Sequence, residues 1–310
     1  MKIVCLDAAT LGGDADLSEI ASLGEFESYE MTGPAQTAQR LAGADVVITN
    51  KVLITDEIMA QTALKLICVS ATGTNNIDMQ AAQTRGIAVK NVAGYSTNSV
   101  VQQTFASLFA LTNALGYYAD YGSSGKWCES EIFTHIDAPI SEIYGKEFGV
   151  IGLGQIGEKV ARIAAAFGAN VRYYSTSGAN DNGEFARVSL DALLRACDIV
   201  SIHAPLNEKT AGLIGEAELA KMKEGAILMN FGRGGIVDED ALARAVDERG
   251  LRTALDVLQT EPMRADHPLL RVKNRRNVVI TPHIAWASVE ARKRLIKMIV
   301  QNIRDFMNGK

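Results

Sequence analysis

Cysteine is scarce in this chain: Cys5, Cys68, Cys128 and Cys197 are the four present, and no two are close enough for a Cys-x-x-Cys pair. That spacing excludes a disulfide framework or a zinc site, and the four are expected to be buried thiols in a reducing compartment. Long apolar runs are missing too. The N-terminal stretch 3–6 is closed by Asp7, far short of a signal peptide or a membrane span. Neither sign of charge dominates: Lys and Arg number 31, Asp and Glu 36, for a net charge of −5 without a long basic run. Nucleic acid is therefore a poor candidate partner. Repeats and low-complexity tracts are absent. The expectation is a soluble cytoplasmic protein with no metal site, no membrane partner and no nucleic-acid partner.

What is present is ordinary globular composition, 47% hydrophobic and 22% charged over 310 residues, enough for two domains with sizeable cores. Short β-branched runs alternate with helical stretches. Residues 2–6, 45–49, 65–69 and 87–89 read as strands, with helices at 34–42 and 78–85 between them. A second series reads as strands at 148–153, 171–174, 198–203, 226–230, 252–257 and 278–281, with helices at 155–167 and 238–249. Such alternation predicts α/β architecture, two doubly wound parallel sheets following one another. Residues 96–121 contain no proline and one glycine, and Leu108, Leu111 and Leu115 keep helical spacing, so one long helix is predicted. Residues 122–145, with Trp127, Phe133 and His135, read as a loop, either a surface excursion or a dimer arm. Residues 288–307 are amphipathic, with Leu295, Met298, Ile299 and Ile303 on one face.

Gly152-Leu153-Gly154-Gln155-Ile156-Gly157 follows a strand, opens a helix and precedes another strand, the context a dinucleotide fingerprint requires. Gly152 permits the tight turn, and Gly154 lets a pyrophosphate approach the backbone. Gly157 lets helix and strand pack closely, while Gln155 and Ile156 stand at the helix N-terminus, where amides face the phosphate. The end of the next strand should carry an acid for the adenosine ribose of NAD. It reads Tyr174-Ser175-Thr176-Ser177-Gly178 instead. No carboxylate repels a 2′-phosphate, and three hydroxyls could donate to one, yet no Arg follows apart from Arg172 within the strand. NADP, or use of both NADP and NAD, is the expectation.

Three further segments hold ionisable residues at the C-terminal ends of predicted strands, where open α/β sheets bind ligands. They are Asn230-Phe231-Gly232-Arg233-Gly234-Gly235, Asp256-Val257-Leu258-Gln259-Thr260-Glu261-Pro262 and Thr281-Pro282-His283-Ile284-Ala285-Trp286. With the glycine fingerprint, these make the sequence similar to the D-isomer-specific 2-hydroxyacid dehydrogenases over essentially its whole length. Thr49-Asn50-Lys51-Val52 and the Pro-His segment most resemble the glycerate dehydrogenase/hydroxypyruvate reductase branch.

The resemblance implies a flavodoxin-like substrate domain of residues 1–98 and 287–310 and a Rossmann dinucleotide-binding domain of 99–286. It implies reversible reduction of hydroxypyruvate or glyoxylate to D-glycerate or glycolate, and a homodimer formed through the cofactor domain. Arg233 would clamp the substrate's carboxylate and 2-oxo oxygen. His283 would be the acid/base, and Glu261 would orient its ring and favour the charged form. The resemblance further implies that Asp256 holds the nicotinamide carboxamide and that Phe231 and Gly232 lie on the nicotinamide side. His203, Ala204, Pro205 and Thr210 would pass the ribose and pyrophosphate, and Thr104 would face the cofactor. Ala71, Thr72 and Gly73 resemble the loop whose amides receive the substrate carboxylate; Lys51 would add charge, and Trp286 would wall the pocket. Another 2-oxo acid, 3-phosphoglycerate included, would use the same machinery. A dinucleotide-sensing, corepressor-like binding protein is the reading from a different class.

Overall fold

The computed structural model describes residues 1–181 and 183–309. The chain forms two compact units, Met1–Ser96 with Trp286–Lys310, and Thr97–Ala285. Their borders lie one or two residues before those read from the sequence. Thr97 and Asn98 already belong to the helix Thr97–Thr112. Trp286 stands edge-on to Tyr95, ring centroids 6.3 Å apart, and packs on the core of the first unit.

In the first unit five parallel strands, β1 (Lys2–Cys5), β2 (Glu25–Ser28), β3 (Val46–Thr49), β4 (Leu66–Val69) and β5 (Ala88–Lys90), run in the order β2-β1-β3-β4-β5. This is the flavodoxin-like order, with its switch point between β1 and β3. Every residue of β3 and β4 is buried, as expected for strands covered on both faces. Ile3, Val46 and Leu66 face the helix Val289–Met307, through its Leu295, Ile299 and Ile303. Met298, read as part of that apolar face, is instead exposed. Strand β2, Glu-Phe-Glu-Ser, has no β-branched residue and escaped the sequence reading; it is an edge strand, where charge is tolerated.

At the switch point Asp7 is buried and its carboxylate accepts the amides of Asn50, Lys51 and Val52, at 3.0, 2.7 and 3.3 Å, and the Thr49 hydroxyl at 3.2 Å. One side chain thus fixes the turn that carries Lys51.

In the second unit seven parallel strands are β6 (Glu147–Ile151), β7 (Asn170–Tyr174), β8 (Ala186–Arg187), β9 (Ile199–Ile202), β10 (Ile227–Asn230), β11 (Arg252–Leu255) and β12 (Val278–Ile280). They run β12-β11-β10-β9-β6-β7-β8, all pairs parallel. That is the doubly wound dinucleotide-binding order, extended by one strand, with its switch point between β6 and β9.

The single helix read over residues 96–121 is two, Thr97–Thr112 and Leu115–Ser123. The break falls where the Thr112 hydroxyl turns to the Asn113 side chain and Ala114 takes a left-handed φ of 47°. Beyond it the chain folds back. His135 stacks on Tyr121 at 3.7 Å, its Nε2 meets the Tyr117 hydroxyl at 2.7 Å, and Tyr118 donates to the Ala138 carbonyl. Of the four cysteines, Cys5, Cys68 and Cys197 are buried, and burial pushes each thiol up to about 12. Cys128 departs from expectation: it is exposed, in the short turn Lys126–Glu129. No helix among the described residues is long and apolar enough to cross a membrane.

Candidate active site

The glycine fingerprint folds as its spacing requires. Gly152 has φ +90° and a Cβ there would lie 2.9 Å from the Ala204 backbone; a Cβ on Gly157 would collide with the Gly152 carbonyl oxygen. At Gly154 the space is open. Gly154 is also the N-cap of the helix Gln155–Ala166 and offers no capping side chain, so the first amides of that helix, Gln155 and Ile156 among them, are left for a ligand. Beside them lies a cavity of about 650 Å³ lined by Gly152, Leu153, Gly154, Thr176, Ser177, Asn180, His203, Pro205, Asn207, Glu208 and Lys209. An open cradle at a helix N-terminus, at the strand-order switch point, fits a dinucleotide.

The residues expected around that cavity divide. His203 lines it; its Nε2 meets the Ser201 hydroxyl at 2.8 Å, while Nδ1 is buried without a protein partner. Burial holds this imidazole down to about 3, so it is neutral. Phe231 is buried and stacks on His203. Gly232 is required because a Cβ would lie 2.5 Å from the Ala204 carbonyl oxygen.

Four of the residues expected there are buried and bonded within the protein. Ser175 is buried and its hydroxyl accepts the Asn180 amide, leaving Thr176 and Ser177 as the hydroxyls on the cavity. Thr210 is fully buried and donates to the Pro205 carbonyl at 2.6 Å, shaping the loop rather than lining the cavity. Thr104 is likewise fully buried, its hydroxyl returned to the Val100 carbonyl one helical turn back, which gives it a packing place. Asp256 is buried and spends its carboxylate on the Thr281 hydroxyl and the amides of Ile284 and Ala285, at 2.6, 2.9 and 2.9 Å. It holds the turn that carries His283.

That turn belongs to three neighbouring strand ends. The Asp256 amide donates to Asn230 and the Thr281 amide to Leu255, so the loops after β10, β11 and β12 leave the sheet side by side. Asn230 clamps the first loop at both ends, accepting from Gly232 and donating to the Arg233 carbonyl. Gly234 presses so closely on the Leu258 backbone that any side chain would collide. The Arg233 guanidinium bonds its neighbour's Gly232 carbonyl at 2.8 Å and pairs with no carboxylate among the described residues.

Glu261 accepts the Leu258 amide on Oε1 and faces His283 Nδ1 with Oε2 at 2.7 Å. A carboxylate only accepts, so the neutral ring carries its proton on Nδ1 and presents the Nε2 lone pair. His283 holds a left-handed φ of 53°, a conformation that costs about 1–3 kcal/mol and concentrates at functional sites.

One supporting pair had no sequence signal. Largely buried His267 and Glu239 meet at 2.8 Å, and the other Glu239 oxygen takes the Gln259 amide at 2.7 Å. It anchors the loop that carries Glu261 to the helix Glu239–Arg249. The spacing of 28 residues hides such a contact from any local pattern.

Lys51, Ala71, Thr72, Gly73 and Trp286 lie in the first unit. Lys51 is exposed. Thr72 donates to the Val92 carbonyl, and Asn91 holds the Thr72 carbonyl; among the described residues the Thr72 and Gly73 amides have no acceptor, as an anion-receiving turn needs. Trp286 is half-buried against Tyr95.

Residues 105–285 match the model of the D-isomer-specific 2-hydroxyacid dehydrogenase NAD-binding domain. A Haemophilus influenzae protein provisionally named a 2-hydroxyacid dehydrogenase is 41% identical, over 99% of this chain and 98% of its own length. A hydroxypyruvate reductase of Blautia hydrogenotrophica is 37% identical, over 100% of this chain and 98% of its own. Among solved structures, the acyclic imino acid reductase Bsp5 in complex with NADPH and D-Arg is 30% identical, with a TM-score of 0.85 over 100% of this chain and 98% of that one.

Proposed function

The chain belongs to the D-isomer-specific 2-hydroxyacid dehydrogenase family, oxidoreductases that act on the CH–OH group of 2-hydroxy acids with a nicotinamide dinucleotide, and from that premise we propose that it reduces hydroxypyruvate and glyoxylate to D-glycerate and glycolate. NADPH is the proposed reductant, with NADH also accepted. The observation that carries the reading is the Glu261–His283 pair, 2.7 Å apart, on loops adjoining that of a guanidinium without a carboxylate partner.

The residues would divide the work as follows. Arg233 holds the substrate's carboxylate and carbonyl oxygens through its planar fork. His283, charged, gives the Nε2 proton to the carbonyl oxygen as it becomes a hydroxyl; in the reverse direction the neutral ring takes it back. Glu261 keeps Nδ1–H in place throughout, so the ring neither flips nor changes tautomer. Gly154 and the amides of Gln155 and Ile156 would hold the dinucleotide's pyrophosphate, with His203 and Pro205 along the cavity. When bound, the nicotinamide supplies the hydride to C2. In the first unit, the Thr72 and Gly73 amides and Lys51 are the proposed anion-receiving groups.

A panel of 2-oxo acids assayed with both reduced cofactors tests this reading. Hydroxypyruvate and glyoxylate are expected to exceed larger or phosphorylated 2-oxo acids in kcat/KM by about tenfold or more. A phosphorylated substrate at the top of the panel would contradict the substrate assignment. An NADH preference of about a hundredfold would contradict the cofactor assignment.

A homodimer is proposed through the second unit. Trp127, Ile132, Phe133, Ile136 and Ile140 are exposed there, Phe133 at 89%, and exposed apolar patches mark interfaces. The second unit also carries an apolar groove of about 490 Å³ lined by Phe105, Phe109 and Phe167, on the helices Thr97–Thr112 and Gln155–Ala166 and just past the latter. Sedimentation should give a dimer for the wild type, and a shift to monomer for Phe133→Asp with Ile136→Asp. A monomeric wild type would exclude it.

A further inference from the structure

We propose that Arg187 is the residue that admits a 2′-phosphate on the adenosine ribose, and so sets the choice between NADPH and NADH. The inference rests on the preceding reading, that the cavity beside Gly152–Gly154 receives the dinucleotide.

The sequence carries no Arg just after Tyr174, where one would be sought. Strand β8 supplies it from further along. Its two residues pair with β7 in parallel register, Arg187 opposite Tyr173, so Arg187 stands at the strand end from which the 175–178 turn departs. The guanidinium reaches that turn: Nη2 is 3.8 Å from where a Cβ on Gly178 would sit, and Gly178 has φ +78°. Thr176 and Ser177, in the same turn, line the cavity.

The charges nearby single out this arginine. Arg162 is paired with Glu158 and Glu184, and Arg172 with Glu147, so both are already neutralised. Arg187 is exposed, and its side chain forms no hydrogen bond or ion pair among the described residues. The strand end holds Ser175 where an acid would accept the ribose hydroxyls of NAD, and its hydroxyl is occupied by the Asn180 amide. Elsewhere in the lining Glu208 and Lys209 are neighbours of opposite sign, so that side contributes little net charge. A phosphate dianion at the 175–178 turn would therefore meet an unpaired guanidinium, whose donors suit paired phosphate oxygens, with the Thr176 hydroxyl beside it. An unphosphorylated ribose offers Arg187 only a neutral hydroxyl. The alternative role for a charged residue on an edge strand, discouraging strand pairing between molecules, would not distinguish the two cofactors.

The test is direct binding without substrate. NADPH and NADH are titrated by nucleotide fluorescence into the full chain as wild type, Arg187→Ala and Arg187→Lys. Arg187→Ala is expected to weaken NADPH by about 10- to 100-fold and NADH by less than about twofold, with Arg187→Lys retaining part of the NADPH affinity. The NADPH-specific loss should shrink at high salt, because the site is exposed. Equal losses for both nucleotides, or no loss for either, would overturn the assignment. The parent reading fails separately. A wild type that binds NADH far better, while Arg187→Ala still costs only NADPH, removes the proposed NADPH preference and leaves Arg187 as the 2′-phosphate contact. A wild type that prefers NADPH, unchanged by Arg187→Ala, keeps the preference and overturns Arg187.

Discussion

A chain with Ala in place of His283 is expected to lose about 10²- to 10⁴-fold in turnover of hydroxypyruvate, the range a positioned general acid contributes, while dinucleotide affinity stays within about threefold of wild type. The two effects separate because His283 is absent from the cavity that fits the dinucleotide. Its ring is instead held at Nδ1 by Glu261, and Nε2 has no partner among the described residues. Steady-state kinetics alongside fluorescence titration of the reduced nucleotide measures both quantities on one sample. Parallel losses in turnover and affinity would mean that the substitution damages the fold of the site, and would remove His283 from proton transfer. The fold should survive: the turn around residue 283 is set by Asp256 through Thr281, Ile284 and Ala285, and Ala removes a left-handed histidine without touching those bonds.

Arg233→Ala should act on the substrate instead. Losing a two-pronged, charge-assisted contact costs about 2–5 kcal/mol, and each 1.4 kcal/mol is about tenfold, so kcat/KM is expected to fall by about 30- to 4,000-fold. Dinucleotide binding should again hold. Arg233→Lys should recover little, because an ammonium cannot reproduce the fork. The reason to expect a large effect is structural: Asn230 and two close glycine approaches, Gly232 on Ala204 and Gly234 on Leu258, fix the backbone on both sides of Arg233, yet its guanidinium has no carboxylate partner. Kinetics indistinguishable from wild type would remove Arg233 from the site.

Much of this was legible in the sequence wherever a covalent spacing sets the geometry. The fingerprint Gly152-x-Gly154-x-x-Gly157 works within one turn and one helical start, so its glycines could be read off directly. Arg233, Glu261 and His283 could be placed just past the C-terminal ends of strands β10, β11 and β12, while their proposed roles came from the family resemblance. What escaped depended on contacts between distant segments. Asp7 collecting the amides of residues 50–52, Glu239 holding Gln259 and His267, and Arg187 reaching Gly178 are tertiary events without local periodicity. Strands β2 and β8 escaped for a related reason: edge strands are wetted, so Glu-Phe-Glu-Ser and Ala-Arg lack the apolar signature of a buried strand. Four positions expected around the cofactor also have partners within the protein that no local pattern announces. Ser175, Thr104, Thr210 and Asp256 occupy the expected positions, but their oxygens are engaged by Asn180, Val100, Pro205 and residues 281–285. The single helix expected over 96–121 failed because helical spacing persists through a break that one residue, Ala114, can make.

Glu261 is proposed to act in turnover through the His283 imidazole, which it meets at 2.7 Å. A double-mutant cycle in kcat measures this directly, using Glu261→Gln, His283→Ala and the two combined. Glu261→Gln alone is expected to cost about 10²-fold or more, because the amide no longer enforces the ring's tautomer. In the His283→Ala background it should change turnover by less than about twofold, since nothing remains to orient. Losses that multiply, with the double variant falling by the product of the two single effects, would show that the carboxylate and the imidazole work independently and would contradict the account.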